Sequence, residues 1–162
     1  MIGSRNILVA AAAAGLVATM ALAQAAPERD AAWHNGQALY LLNLKPADGW
    51  RATASGLRYR RVKAGTGAQR PAPTDIVTIG YAGRFIDGSE FDASAPGAPA
   101  AFPLPRLIQG WQEGVPLMEV GSTYEFAIPY TIAYGASGKG PIPGGATLLF
   151  TIELIGIGES AG

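Results

Sequence analysis

Apolar residues keep a helical spacing in one short stretch of the chain and a period of two in several later ones. In "DAAWHNGQALYLLNLK", residues 30–45, Trp33, Tyr40, Leu41 and Leu44 recur near the helical period, and Asp30 is placed to cap the start. "KPADGW" then breaks that helix. The segment reads either as a short helix packed on the main domain or as an arm that binds a partner. After "TASG" the pattern alternates. "LRYRRV" puts Leu57 and Tyr59 on one face, and "IVTIGYAGRF" puts Val77, Ile79 and Tyr81 on one face with Thr78 and Gly80 on the other. "STYEFAIP" aligns Tyr124, Phe126 and Ile128, and "ATLLFTIELIGI" aligns Leu148, Phe150, Ile152 and Leu154. Asp87-Gly88 between "RFI" and "SEFD" signals a hairpin. Residues 64–75 and 134–145 read as loops from their Gly and Pro content, and 95–105 is too proline-rich for a central strand.

A sheet with one apolar face needs a cover. Within the strand-forming region only "LIQGWQEGV", residues 107–115, has helical spacing, and the expected helix runs from about 106 to 115. It is a poor helix on propensity, since each interior glycine costs about 1 kcal/mol relative to alanine. Ile108, Trp111 and Val115 would point onto the concave side of the sheet. Gly110 and Gly114 would keep bulk away from a groove that something enters. Pro116 lacks an amide hydrogen and ends or kinks the helix.

Composition narrows the function. Formal net charge is zero, which argues against the basic face that nucleic-acid binding needs. There is no cysteine and a single histidine, His34, so disulfides, thiolate chemistry and a histidine metal cluster are excluded and no metal is expected. The start of the chain carries Arg5, the apolar run "ILVAAAAAGLVATMALA" and small residues at "ALAQAA", the pattern of a secretory signal cleaved after Ala23 or Ala25. The rival reading, an uncleaved membrane anchor, is weakened by an alanine-rich run near the lower limit of about 17–25 residues for a spanning helix. No cysteine follows the run, so a lipoprotein anchor is ruled out, and no stable membrane anchor is expected after cleavage. The expected organisation is a signal peptide over 1–25, a helical extension or linker over 26–52, a main domain over 53–158 and a tail over 159–162.

"GYAGRFIDGSEFDAS", "LIQGWQEGV", "IPYTIAYG" and "GGATLLFTIELI" occur in this order at compatible spacing. Together they resemble the FKBP-type peptidyl-prolyl cis-trans isomerases. "TASGLRYRRVKAGTG" and "FPLPRLIQGW" resemble the bacterial branch typified by the macrophage infectivity potentiator. The match runs from Thr53 to Ile157. It implies an α+β fold, a curved antiparallel sheet wrapped around one short helix. It implies a site between helix and sheet with Trp111 as its floor. Carried over by motif, Tyr81, Asp92 and Tyr134 are the polar catalytic residues. Phe91, Phe102, Leu107, Ile108, Trp111, Ile142 and Phe150 bind the substrate. The resemblance implies that Tyr134 donates to a substrate or ligand carbonyl and that Asp92 contacts Tyr81. It also implies proline-containing unfolded polypeptides as partners, macrolides as pocket ligands, no cofactor, and a periplasmic location.

The chemistry agrees with such a site. An X–Pro bond isomerises unaided in tens to hundreds of seconds. No covalent bond breaks, so no nucleophile is needed and Asp92 need not act as a base. The twisted amide of the transition state has lost resonance and is less polar than the planar one, so a dry aromatic cleft binds it preferentially. The sequence departs from the family pattern in three places. Only Phe102 stands where many members carry two phenylalanines, Lys139 and glycines occupy a loop that usually holds a histidine or aromatic residue, and Pro116 should shorten the helix. A holdase-type chaperone or a peptide-binding module with little or no turnover is the alternative function.

Overall fold

The computed structural model describes residues 29–158, so the expected signal segment and C-terminal tail lie outside the described residues. Helix α1 spans Ala31–Asn43, and the Asp30 carboxylate accepts the Trp33 amide at 2.8 Å, as its N-cap position requires. A 3-10 turn over Pro46–Asp48 ends in Gly49 at φ 84°, a left-handed conformation that suits glycine. The strands are β1 (Arg51–Ala52), β2 (Arg58–Lys63), β3 (Ile76–Phe85), β4 (Glu90–Ala93), β5 (Ala100–Pro103), β6 (Thr123–Ile128), β7 (Gly138–Lys139), β8 (Ile142–Pro143) and β9 (Leu148–Gly158).

Seven of these form one antiparallel sheet in the order β1-β2-β6-β9-β3-β4, with β5 also paired to β3. β4 covers Ala82–Arg84 of the outer edge of β3, and β5 covers Ile76–Ile79 of the same edge. The proline-rich segment therefore does contain a strand, but at the sheet edge, where Pro103 can end it. The sheet starts at Arg51, two residues ahead of the expected domain start. Phe85 and Ser89 close the expected hairpin around Asp87 and Gly88, with the Phe85 amide donating to the Ser89 carbonyl at 2.9 Å. β7 and β8 make a small separate hairpin inside the loop before β9.

The alternation read from the sequence holds in each long strand. Val77, Ile79 and Tyr81 of β3, Tyr124, Phe126 and Ile128 of β6, and Leu148, Phe150, Ile152 and Leu154 of β9 are all buried in one core. Helix α2, Gln109–Gly114, lies in that core with Trp111 fully packed. It is shorter than the expected 106–115. A separate 3-10 turn occupies Leu104–Arg106, Ile108 is extended at its N-cap, and the helix passes into a 3-10 turn over Val115–Leu117. The change occurs beside Pro116, which has no amide to continue the α pattern.

The two helix glycines do something other than expected. A Cβ on Gly110 would overlap the Ile128 side chain, and one on Gly114 would lie 2.6 Å from the Phe126 ring. They let the helix backbone press against β6. They do not border a groove.

α1 belongs to the same body. Gln37 is its buried residue, and its Oε1 accepts the Thr147 amide at 2.8 Å, ahead of β9. Trp33 packs against the core. Of the two readings left open for this segment, packing on the main domain is the observed one. Among the described residues no helix is long and apolar enough to cross a membrane.

Candidate functional site

Three aromatic rings meet the Trp111 indole nearly at right angles. Tyr81 of β3 lies 5.4 Å away at 81°, Phe150 of β9 lies 5.1 Å away at 89°, and Phe102 of β5 lies 6.4 Å away at 84°. Phe102 also meets Tyr81 edge-on at 6.0 Å. Phe91 of β4 continues the group, 5.6 Å from Phe150 at 89°. Edge-to-face packing suits the ring quadrupole and adds about 0.5–1.5 kcal/mol per pair beyond area burial. Four strands and one helix thus contribute one ring each to a single cluster.

The indole itself is 1% exposed, with Phe150 at 2% and Tyr81 at 7% packed on it. Phe91, Phe102 and Tyr134 are half-buried, so the cluster reaches the surface at these three side chains. Leu107, Ile108 and Ile142 are buried in the same core. The Trp111 Nε1 hydrogen has no acceptor among the described residues. A buried donor left so costs about 1–3 kcal/mol, which the surrounding ring packing must offset.

The polar residues also come together. The Tyr81 hydroxyl donates to the Asp92 carboxylate at 2.9 Å, and both side chains are buried, 7% and 6% exposed. Burial, then the bond to Asp92 and its charge, hold the Tyr81 hydroxyl far above its ordinary pKa. Tyr134 is pushed up to about 12 by burial and by the nearby charge of Asp92. Both phenols therefore stay protonated and remain donors at any physiological pH. Asp92 acts on both tyrosines, which places the three polar residues expected from the sequence in one electrostatic group.

Local structure explains how these side chains are held. Asp92 pairs across β3–β4 with Gly83, and the register shifts between Gly83 and Arg84. A Cβ on Gly83 would lie 2.7 Å from both the Phe150 and the Phe91 ring, so only glycine lets those rings approach β3. The Tyr81 backbone is fixed by Ser94, whose Oγ accepts the Tyr81 amide at 2.9 Å and whose own amide donates to the Tyr81 carbonyl at 2.9 Å. Gln112 clips the start of α2 by donating from Nε2 to the Leu107 carbonyl at 2.6 Å. Gly83, Ser94 and Gln112 were not singled out in the sequence. Only Gly83 left a trace there, as a glycine where the alternation of β3 calls for an inward side chain. Among the described residues no group of three or more His, Cys, Asp or Glu side chains could hold a metal ion.

The chain was compared with known proteins. The family profile for FKBP-type peptidyl-prolyl cis-trans isomerase matches residues 67–155. The FKBP-type isomerase FkpA of Aeromonas hydrophila is 47% identical over 123 residues, which are 75% of this chain and 46% of the relative. The FKBP-type 22 kDa isomerase of Escherichia coli is 46% identical over 120 residues, 73% of this chain and 58% of the relative. The chain thus spans about half the length of these curated relatives. The crystal structure of FkpA from Escherichia coli superposes with a TM-score of 0.74 at 35% identity, covering 78% of this chain and 59% of that one. An isomerase structure from Pseudomonas syringae superposes with a TM-score of 0.72 at 32% identity, covering 79% and 95%. The profile covers more than half of the chain and includes every strand from β3 to β8 and most of β9. On that match, and on a sheet wrapped around one short helix as the motifs implied, this chain belongs to the FKBP-type peptidyl-prolyl cis-trans isomerase family.

Proposed function

We propose that the chain accelerates rotation about X–Pro bonds in exported polypeptides, without covalent chemistry, at the Trp111 cluster. The observation that carries the reading is the perpendicular seating of Tyr81, Phe102 and Phe150 around Trp111, with the Tyr81–Asp92 hydrogen bond beside them. A prolyl ring entering beside the half-buried Phe91, Phe102 and Tyr134 meets apolar edges with the indole beneath them. The amide preceding it then lies among groups that hold little water. The planar amide is the more polar form and loses more on leaving water, while the twisted form loses less. Each 1.4 kcal/mol of that difference is worth about tenfold in rate.

Tyr134 is the donor that orients the substrate carbonyl. Tyr81 is already engaged with Asp92, and this bond keeps the carboxylate fixed at the rim. Phe91, Phe102, Leu107, Ile108, Ile142 and Phe150 complete the apolar wall. No proton is transferred and no cofactor is needed.

The test is exchange spectroscopy on a short Xaa-Pro peptide with catalytic amounts of protein. Wild-type protein should raise the interconversion rate well above the uncatalysed one, and Tyr134→Phe and Asp92→Asn should lower it while leaving the fold intact. A folded wild type that leaves the rate at its uncatalysed value sinks the reading. If that protein still suppressed aggregation of an unfolded chain, the holdase function would take its place.

Export is part of the same proposal. It rests on the charged, apolar and small-residue order of the first 26 residues. A periplasmic form whose N-terminus is Gln24 or Ala26 supports it, and an intact Met1 in the exported fraction refutes it.

A further inference from the structure

Half of the chain's cations crowd into one segment. Residues 51–70 hold six of the twelve Lys and Arg residues and no Asp or Glu, although the whole chain carries no net charge. The fold gathers them at the β1–β2 edge of the sheet, the far side from β3 and β4. There a cavity of about 320 Å³ is lined by Arg51, Arg60, Arg61 and Arg70. Its wall includes Tyr59 and Tyr124, whose rings stack at 6.4 Å with an interplanar angle of 10°.

Charge in this cavity is only partly balanced. Arg60 is committed to Glu125 at 2.6 Å and lies 4.9 Å over the Trp50 ring. Arg70 is committed to Glu119 and to the Leu117 carbonyl. Glu119 also accepts from the Tyr124 hydroxyl at 3.2 Å, which leaves Arg61 a distant contact with it at 3.8 Å. The Arg51 side chain makes no hydrogen bond or ion pair among the described residues. Arg51 therefore faces the cavity unpaired, and Arg61 faces it with only a 3.8 Å contact to a carboxylate shared with Arg70 and Tyr124. Lys63 extends the positive strip along the edge, where β1 no longer covers β2. Four guanidinium groups around one cavity repel one another, and an added anion relieves that repulsion. A strip longer than the cavity fits an extended polyanion better than a single small ion.

We propose that this cavity and strip form an exosite for acidic stretches of the polypeptide whose prolyl bond occupies the Trp111 cluster, an inference that rests on the isomerase reading for its catalytic consequence. From β2 to β3 is three strand spacings, about 14 Å. At about 3.3 Å per residue an extended chain crosses that span in roughly five residues, and sheet curvature adds a few more. Carboxylates at least that far from the proline would dock on Arg51 and Arg61 and raise the effective concentration of the prolyl bond at the site. The exosite acts on capture and not on the rotation step.

The test uses the whole chain and a labelled, proline-free dodecapeptide alternating Glu and Ser, with a Lys–Ser counterpart, inorganic phosphate and vesicles containing anionic phospholipid as separate probes. The acidic peptide should bind, and binding should fall steeply with added salt. The Arg51→Glu, Arg61→Glu double variant should weaken it by at least about tenfold. Arg84→Glu, a single charge reversal in an exposed pair on β3, should not. Arg51→Gln with Arg61→Gln should give an intermediate loss, which guards against misfolding of the reversed variant. For a prolyl substrate with a Glu cluster about eight residues from the proline, the reversed variant should raise KM severalfold and leave kcat unchanged. A short tetrapeptide substrate should show no change.

Equal affinity of the acidic peptide for wild type and reversed variant overturns the exosite. So does equal binding of the Lys–Ser peptide, or binding of phosphate or vesicles without the acidic peptide. A wild type that binds the probe in the charge-dependent way but turns over no prolyl peptide removes the isomerase reading and leaves the acidic-segment site standing.

Discussion

On the β3 side of the sheet the rings around the helix meet it edge to face, with Tyr81, Phe102 and Phe150 at 81–89° to Trp111. On the β2 side they lie nearly parallel, Tyr59 against Tyr124 at 10° and Tyr124 against Phe126 at 21°. The same residue types therefore make two different surfaces. Parallel rings form a column that fills space and offers only its end. Perpendicular rings form walls around a floor. The second arrangement sits where the buried polar pair Tyr81–Asp92 is, and the first sits beside the exposed arginines. Ring orientation, more than ring content, separates the half of the sheet proposed to take the prolyl ring from the half whose rings pack beside the proposed exosite.

The largest effect that would sharpen this contrast is expected on the packing side. Phe126→Ala removes a buried ring that touches α2 at Gly114, and it should cost about 3–5 kcal/mol in a denaturant titration. Turnover per folded molecule should change little. A large loss of turnover without a loss of stability would break the distinction. Next comes Gly110→Ala. The helix gains propensity, but the methyl group overlaps Ile128, and overpacking of this kind costs about 1–3 kcal/mol. A stabilised variant would show that α2 does not press on β6 as described.

On the binding side, Asp92→Asn should leave the melting temperature nearly unchanged and lower kcat/KM by about tenfold, or 1.4 kcal/mol. Tyr134→Phe should do the same through lost orientation of the carbonyl. The smallest expected effect is a flat line. Turnover should not vary between about pH 6 and 9, since both site tyrosines are held protonated. Stability has a defined sign there. Tyr134 has a folded pKa of about 12 against an ordinary 10.0, so its contribution is whole below pH 10 and is lost as pH rises toward 12. An alkaline melt series reads this directly, and a stability that rose over that window would contradict the burial of the phenol.

Much of this architecture was legible in the sequence, and for a physical reason. Each long strand buries one face, so β3, β6 and β9 print their alternation directly into Val77-Ile79-Tyr81, Tyr124-Phe126-Ile128 and Leu148-Phe150-Ile152-Leu154. The bounds of β3 were readable to the residue. Helix α2 was readable as a cover and not in its length, because Gln112 and Pro116 decide where it starts and ends. The role of its glycines was misread, since a close approach to β6 is a tertiary fact with no local signature. The site residues were named from ordered motifs. Ser94 and Gly83, which hold them, could not be, because their partners lie across strands. The edge strand β5 was hidden by its own prolines, which tell against a strand although an edge tolerates them.

Helix α1 has thirteen residues, Gly36 in its interior and one buried side chain, Gln37. Isolated helices of that length are marginal in water. Its coil-to-helix equilibrium is therefore set by docking. When the Gln37–Thr147 bond and the Trp33 contact part, the segment unwinds as it leaves, and the sheet beneath stays whole. The first amides to exchange with solvent should be those of α1, opening together well below the free energy of global unfolding.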